Sequence, residues 1–164
     1  MAIDLVRFQE DLISRIRAVE DAAPVIPWLG VQTGGQHWLV EVGSLTEVLP
    51  VPSLLNVPHT VSWFAGIANI RGNLYSIADL TAFLRRGGKE RGASARVLLL
   101  RSALRCGLIV DNVLGLYNPA QWTLKNERST TLVMAEYLDN QSVLWRALDL
   151  PALEKHTSFL SVAA

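Results

Sequence analysis

The sequence contains a single cysteine, Cys106, among its 164 residues. One cysteine excludes an intramolecular disulfide framework and any zinc site built on several cysteines. The three histidines, His37, His59 and His156, show no spacing, either among themselves or with carboxylates, that resembles a metal site. We therefore expect neither a metal nor a cofactor.

The formal net charge is zero, since 15 Lys and Arg residues balance 15 Asp and Glu residues. This balance excludes whole-protein attraction to nucleic acid or to an anionic membrane. Half of the residues are hydrophobic and only 18% are charged, which is incompatible with disorder. The length indicates one domain, with room for two lobes, and the apolar excess indicates that some apolar surface faces partners.

Residues 48–70 contain no charged side chain, and this length nominally suffices for a membrane-spanning helix. Pro50, Pro52 and Pro58 interrupt the segment, so we expect no membrane insertion. The first residues, MAIDLVRFQEDL, carry charges where a secretory signal requires an apolar core. The expected location is therefore the cytoplasm.

Motifs of catalysis are absent as well: the sequence has no Gly-x-Ser-x-Gly elbow and no Walker A loop. The glycine-rich stretch RRGGKERG lacks the Gly-Lys-Ser/Thr ending that cradles phosphate. Cys106 lies within a strand candidate and is interpreted as a small buried hydrophobe. We predict that the protein is not an enzyme. An enzyme that uses Cys106 or a histidine stays the third hypothesis, and rapid reaction of the native thiol would favour it.

Hydrophobic periodicity divides the chain into one helix and a β-rich body. Leu5, Phe8, Leu12, Ile16 and Val19 recur at intervals of three and four, which predicts an amphipathic helix over residues 4–20. Beyond it, short strand-like runs alternate with turns, as in WLGVQT-GG-QHWLVEV, AGIANI-RGN-LYSIA and RVLLLR-SAL-RCGLIVD. VLGLY, TTLVMAEYL and SVLWRAL are further strand candidates. The fold class predicted is all-β with short helices and an N-terminal helical arm.

An internal similarity refines this prediction. LYSIADLTAFL (74–84) aligns without gaps on LWRALDLPALE (144–154), and the two share Asp79 with Asp149. In each copy a strand precedes an aspartate that is suited to cap a short helix. The repetition predicts two similar β lobes, each completed by a helical turn.

Residues 85–101 are rich in basic side chains and contain one acid, Glu90; the basic residues are Arg85, Arg86, Lys89, Arg91, Arg96 and Arg101. Such a patch is able to contact phosphates, but no aromatic side chains are interleaved for base stacking. A solvated loop is the favoured interpretation. A nucleic-acid-binding SH3-like or OB-like β domain that uses this patch is the alternative function.

One segment resembles a known family. FAGIANIRGNLYSIADLTAFL (64–84) is similar to the signature of CheW-like chemotaxis coupling proteins, in which an apolar strand leads into Asn-hydrophobic-Arg-Gly, a second strand and an Asp-Leu helix start. VGSLTEVLPVPSLLNVPHTVSWF upstream and RVLLLRSALRCGLIVDNVLGLYNPAQ downstream resemble the family's flanking segments. The resemblance covers about residues 28–155. The helical arm and the contexts of Trp63-Phe64 and Asn69–Gly72 are most similar to the type IV pilus, twitching-motility branch.

The resemblance implies two SH3-like five-stranded β-barrels and an adaptor without catalysis. The implied partners are the C-terminal CheW-like domain of a CheA-type histidine kinase and the cytoplasmic tip of a methyl-accepting chemoreceptor. Recruitment to membrane receptor arrays would follow. The domain division expected is an arm at 1–27 and a CheW-like domain at 28–164, with lobes near 28–84 and 94–155 and possible strand exchange between them.

The resemblance also supplies candidate partner-binding residues. The family's conserved Glu and signature Arg correspond to Glu47 and Arg71, and the remaining candidates are Asn69, Gly72, Trp63 and Phe64. We predict that the Arg71 guanidinium is held by the Glu47 carboxylate in a planar two-point pair. Tyr75 and Ser76 depart from the family pattern, which commonly has aliphatic residues and proline there.

Overall fold

The computed structural model describes residues 5–21, 26–85 and 90–164. The described chain forms two β-sheets, one of six strands (the large sheet) and one of five (the small sheet), with a few short helices and a longer N-terminal one. The elements in chain order are α1 (Leu5–Asp21), β1 (Trp28–Thr33), β2 (Gln36–Glu41), β3 (Leu45–Pro50), β4 (Phe64–Ile70), β5 (Asn73–Asp79), α2 (Leu80–Arg85), β6 (Arg96–Leu100), β7 (Cys106–Val110), β8 (Asn112–Tyr117), β9 (Thr123–Thr130), β10 (Val133–Leu138), β11 (Leu144–Leu148), α3 (Leu150–Lys155) and α4 (Thr157–Leu160). The prediction of an all-β body with short helices is confirmed.

The predicted hairpins are present. β1 and β2 pair antiparallel around Gly34 and Gly35, both at positive φ, and β4 with β5 and β6 with β7 form the other two pairs. The resemblance implies five strands in each lobe, whereas the large sheet has six. The additional strand is β9, whose sequence TLKNERST shows no apolar alternation because all eight of its residues are exposed.

The strands are distributed between the sheets in a way that differs from the predicted lobe bounds of 28–84 and 94–155. The large sheet has the order β8-β1-β2-β11-β10-β9, and the small sheet has the order β3-β6-β7-β5-β4. The sheets therefore exchange strands extensively, since β1 and β2 join the C-terminal strands while β6 and β7 join β3–β5. The division into an arm and a two-lobed domain stays a prediction.

The two sheets repeat one topology. In the small sheet β5 pairs parallel with β7 and antiparallel with β4, and in the large sheet β11 pairs parallel with β2 and antiparallel with β10. The outer pairs β3·β6 and β8·β1 are both antiparallel. When β9 is left out, equivalent strands of the two sheets follow one another along the chain in cyclically permuted order. The two segments of the internal similarity form equivalent corners, β5–α2 and β11–α3.

The equivalent aspartates cap both short helices in the same way. The Ala82 amide donates to Asp79 Oδ1 at 3.0 Å, and the Ala152 amide donates to Asp149 Oδ1 at 3.0 Å. An arginine lies at the second oxygen of each, Arg91 on Asp79 and Arg128 on Asp149. The predicted caps are confirmed.

In the part of the chain that the structure describes, the buried apolar side chains fall into three clusters. One packs within the small sheet around Ile77, Val97 and Ile109, and an aromatic-rich one packs within the large sheet around Trp145. The largest cluster combines residues of both sheets with the short helices, for example Val31, Leu98 and Leu153. β6 and β7 are buried on both faces because alternate residues enter different clusters.

α1 is the amphipathic helix that the periodicity predicts. Its described side chains, residues 6–17, are exposed, and Phe8, Leu12 and Ile16 have 58%, 47% and 50% of their surface accessible. The body of the same chain therefore does not bury the described part of this stripe. A helix of this length is marginal alone in water, so we predict that the stripe is buried, and for its described part a partner would have to cover it.

Candidate functional site

The β4–β5 turn carries the signature residues. Ile70 and Asn73 pair across the hairpin, and the two residues between them, Arg71 (φ +52°) and Gly72 (φ +82°), are both left-handed. A two-residue loop with two positive φ angles matches the right-handed twist of a hairpin. The Asn69 side chain accepts a hydrogen bond from the Gly72 amide at 2.9 Å, which holds the turn closed.

Arg71 and Glu47 form the predicted two-point pair. Nη1 of Arg71 donates to Oε2 of Glu47 at 2.7 Å, and Nη2 donates to Oε1 at 2.5 Å. The hydrogen bond to Glu47 and its negative charge raise the pKa of Arg71. The arginine side chain is 74% exposed and the glutamate 29%, so the guanidinium is presented to solvent while its carboxylate is partly covered. The prediction of the pair is confirmed.

The pair joins the two edges of the small sheet. Glu47 lies on the edge strand β3, whereas Arg71 follows β4, the opposite edge. Further along the chain Leu55 pairs with Ile67 of β4 through two backbone hydrogen bonds of 2.8 and 3.0 Å. The sheet thus wraps around its own apolar cluster, and the Glu47–Arg71 pair spans the gap at one end.

Exposed apolar side chains lie close to this pair in the sequence. Leu74, the second residue of β5, is 61% accessible, and Val48 on β3 is also exposed. We call Glu47, Val48, Asn69, Arg71, Gly72 and Leu74 the turn surface. A charged group held rigidly beside apolar side chains is typical of protein interfaces.

Trp63 and Phe64, the remaining candidates, lie at the start of β4. Trp63 is half-buried; its ring stacks on Phe159 at 5.5 Å and meets Phe83 edge-on at 5.1 Å. Phe64, also half-buried, lines an apolar cleft of about 390 Å³ together with Trp63. Ring packing therefore accounts for much of the burial of Trp63, whereas Phe64 borders the open cleft.

The last residues of the chain form one wall of this cleft. The Val61 amide donates to the Val162 carbonyl, and the Ala164 amide donates to the His59 carbonyl, both at 2.9 Å. These bonds hold Phe159, Leu160 and Val162 against the cleft. Sequence reasoning missed these residues, which lie beyond the resemblance; their only signal was the apolar run Phe159-Leu160. We call the cleft with these walls the apolar cleft.

The structure separates the predicted set into two groups. Glu47, Asn69, Arg71 and Gly72 belong to the turn surface, whereas Trp63 and Phe64 belong to the apolar cleft. Phe64 and Ile70 are the first and last residues of β4 and lie six positions apart, which is about 20 Å of extended strand. The two surfaces therefore stand at opposite ends of one strand.

The basic segment lies partly outside the described residues, since Arg86 and Lys89 belong to the undescribed stretch 86–89. Among the described side chains Arg91 pairs with Asp79, and Arg96 donates to the carbonyls of Ala93 and Ala95. Arg101 donates to the Leu45 carbonyl. The charge of Arg91 is therefore offset by Asp79, whereas Arg96 and Arg101 keep their charge but use donor groups on their own chain that a phosphate would otherwise occupy.

The remaining candidates are the residues considered for catalysis or for metal binding. Cys106 is buried, and burial raises the pKa of its thiol to about 11, with the negative charge of Glu154 adding to the effect. Across residues 5–21, 26–85 and 90–164, His, Cys, Asp and Glu side chains nowhere converge in a group of three that suits a metal ion. In the same ranges the helices are too short or too polar to span a bilayer.

Comparison with known proteins decides the family. A profile described as "CheW-like domain" matches residues 27–157, which include both sheets and the turn surface but not the wall of the apolar cleft formed by Phe159, Leu160 and Val162. The chain belongs to the CheW-like domain family.

Relatives of this CheW-like protein agree with the assignment. It is 26% identical to Protein PilI of Pseudomonas aeruginosa over 168 aligned residues, which cover 99% of this chain and 94% of that protein. A probable chemotaxis protein CheW of Rhizobium etli is 30% identical over 88 residues, which cover 52% of this chain and 56% of the relative. The crystal structure of the scaffolding protein TtCheW from Thermoanaerobacter tengcongensis superposes with a TM-score of 0.66 at 17% identity, covering 75% of this chain and 88% of that one. The fold is therefore that of a CheW scaffold.

Proposed function

We propose that this CheW-like protein is a non-catalytic adaptor that couples a CheA-type histidine kinase to methyl-accepting chemoreceptors in type IV pilus signalling. The observation that carries the proposal is the presence of two different exposed surfaces, one polar and one apolar, at opposite ends of β4. A coupling protein has to hold two partners at once, and the cleft at Phe64 and the turn after Ile70 lie at different positions along β4, about 20 Å apart at these two residues. Family membership and the near-full-length similarity to PilI support the pilus branch.

The turn surface is assigned to the kinase. Its partner would be the kinase's C-terminal CheW-like domain, and the Arg71 guanidinium would supply hydrogen bonds that fix the relative orientation of the two domains. Glu47 acts as a positioning residue, because its carboxylate holds the guanidinium in one plane. Leu74 and Val48 contribute the apolar contact area beside it.

The apolar cleft is assigned to the receptor. An amphipathic helix of the receptor tip would bind by placing a few apolar side chains into such a groove. A volume of about 390 Å³ accommodates two or three of them. In the cell this interaction would place the protein in the cytoplasm at membrane receptor arrays.

Binding measurements with the cognate kinase and a soluble receptor-tip fragment test the assignment. We expect Arg71→Ala to weaken kinase binding by about tenfold or more while receptor binding is kept. Leu160→Glu, which places a charge on the cleft wall, should weaken receptor binding and leave kinase binding intact. Matched controls are Lys125→Ala, an exposed basic residue of β9, and Leu116→Glu, an exposed leucine of β8.

Two results would contradict the proposal. If the wild-type chain binds neither partner, the adaptor function is wrong; if both variants behave like their controls, the two surfaces are wrongly assigned. Nucleic-acid binding at low salt that weakens steeply as salt rises would instead establish the alternative function of the basic segment.

A further inference from the structure

The apolar stripe of α1 is spaced symmetrically about Leu12, although exposed Val6 and Ile13 widen the apolar surface on one flank only. Phe8 and Ile16 lie four residues on either side of Leu12, and the sequence continues the pattern with Leu5 and Val19, three residues further out on each side. Two such helices packed antiparallel about Leu12 place Phe8 of one against Ile16 of the other and the two Leu12 residues together. Antiparallel pairing of two identical helices requires such symmetric spacing, whereas binding to a different protein does not require it.

The charges beside the stripe are self-complementary in the same arrangement. Asp11 and Arg15 lie on one flank of the stripe, four residues apart, and form an exposed ion pair of 3.0 Å within the helix. Reversal about Leu12 brings Arg15 of one helix to within about 3 Å, along the axis, of the level of Asp11 of the other. Each arginine then faces a second carboxylate, and two ion pairs form across the interface.

Other occupants suit the helix less well. α1 contains three arginines and four acidic residues, whereas helices that lie on anionic lipid carry a basic polar face. A 17-residue helix is marginal when isolated in water, so its stability depends on covering the stripe. The described side chains of α1 are exposed in the single chain.

We propose that α1 packs antiparallel against α1 of a second copy of this chain, with the two-fold axis at Leu12. The stripe is then buried between the copies, and each CheW-like body projects from one end of a two-helix pair. Such a dimer would carry two turn surfaces and two apolar clefts. The inference rests on α1 alone and does not depend on the adaptor function.

Sedimentation equilibrium of the full chain between about 1 µM and 1 mM tests the association, a range that brackets the affinities expected of a small interface. We expect a monomer–dimer equilibrium in the wild type. Leu12→Glu places two carboxylates at the two-fold axis and should raise the dissociation constant by about 100-fold or more. Ser14→Glu adds the same charge on the opposite face of the helix and should leave the constant nearly unchanged.

Charge reversal tests the orientation of the pairing. Asp11→Arg alone and Arg15→Asp alone each place like charges across the interface and should weaken self-association. A mixture of the two single variants should associate more tightly than either variant alone, because every arginine then faces a carboxylate of the other chain. The gain should shrink in high salt.

Cysteine cross-linking in a Cys106→Ala background distinguishes antiparallel from parallel pairing. Phe8→Cys mixed with Ile16→Cys should give a disulfide-linked dimer, whereas Phe8→Cys alone should not. A monomer at all concentrations, equal effects of Leu12→Glu and Ser14→Glu, or cross-linking of Phe8→Cys with itself would each overturn the proposal. So would protection of α1 from amide exchange only when vesicles or a different protein are added.

Discussion

At the scale of single residues, Arg71 combines an unfavourable backbone with a well-held side chain. A left-handed conformation is disfavoured for arginine, yet it aims the guanidinium at the Glu47 carboxylate. The pair is solvent-exposed on the arginine side, and exposed ion pairs contribute little to stability. The conformation is therefore explained better by presentation of the guanidinium than by stabilisation of the fold.

Arg71→Gly should accordingly leave the melting temperature unchanged or raise it, because glycine adopts the left-handed conformation without strain. Arg71→Ala keeps the strain and loses the pair, so we expect a fall of no more than about 3 °C. Arg105, another exposed turn arginine at positive φ (+46°), provides matched controls as Arg105→Gly and Arg105→Ala. A much larger fall for Arg71→Ala than for Arg105→Ala in thermal denaturation would show that the pair holds the fold.

Cys106 allows a second test at this scale. Its thiol is buried and its pKa is raised to about 11, so at neutral pH the reactive thiolate is about 100-fold rarer than in an unfolded chain. We expect the native protein to react with a thiol reagent far more slowly than the urea-unfolded chain. Because the folded pKa is raised, its contribution to stability is complete below pH 9 and is lost as the pH rises toward 11. If the native protein is labelled as fast as the unfolded chain, the result would support the hypothesis that Cys106 is a reactive residue.

At the scale of elements, α2 and α3 are each preceded by an aspartate. This aspartate accepts a hydrogen bond from a backbone amide of the helix and forms an ion pair with an arginine. Asp149→Ala removes the cap of α3 and leaves Arg128 without its carboxylate, which should lower the free energy of unfolding by about 1–2 kcal/mol. Asp149→Asn retains a capping oxygen and should cost clearly less. Denaturant titration of both variants measures the difference, and equal losses would mean that the charge rather than the cap matters.

The closure of the small sheet depends on Gly66 of β4. This residue has φ of +133°, and a Cβ there would overlap the Leu55 carbonyl oxygen, which accepts a hydrogen bond from the neighbouring Ile67 amide. Gly66→Ala should therefore destabilise the protein by about 2 kcal/mol or more. Gly43→Ala is the matched control, since nothing lies within 4 Å of its Cβ position, and it should change stability by less than about 1 kcal/mol. Similar effects of both substitutions would contradict this role of Gly66.

The elements also show what the sequence predicted and what it did not. Hairpins β1–β2 and β6–β7 were predictable because apolar runs and turn residues are local signals. β3 and β9 were missed: β3 ends in Pro50 and buries only Leu45, and the edge strand β9 is exposed at all eight residues and has a single apolar side chain, Leu124. The parallel pairing of β2 with β11 depends on residues more than 100 positions apart, which local patterns do not encode.

The candidate site was likewise predictable in one part and not in the other. The Glu47–Arg71 pair was predictable through the family signature, although 24 residues separate its members. The apolar cleft was not, because its walls come from β4 and from the last residues of the chain, which meet only after the backbone of Val61 binds that of Val162. Long-range placement therefore limited the prediction of the site more than residue chemistry did.

At the scale of the whole molecule, the two sheets are not successive halves of the chain, because the large sheet is discontinuous and the small sheet is built between its two parts. The large sheet needs β1 and β2 from the N-terminal part and β8–β11 from the C-terminal part, while the intervening residues build the small sheet. The largest apolar cluster is shared by both sheets and the short helices. Loss of one sheet would therefore expose the part of that cluster that belongs to the other.

We therefore expect the body to unfold as one cooperative unit despite its two sheets. Far-UV circular dichroism and tryptophan fluorescence should give coincident urea transitions, since Trp63 lies among residues packed against the shared cluster and Trp145 lies within the large sheet. Native-state amide exchange should assign similar opening free energies to Leu39 of the large sheet and Val97 of the small sheet, both fully buried. α1 lies outside these clusters and should exchange rapidly at concentrations too low for self-association. Two separate transitions, or strong protection of one sheet after the other has exchanged, would show that the sheets are independent and that the shared cluster does not couple them.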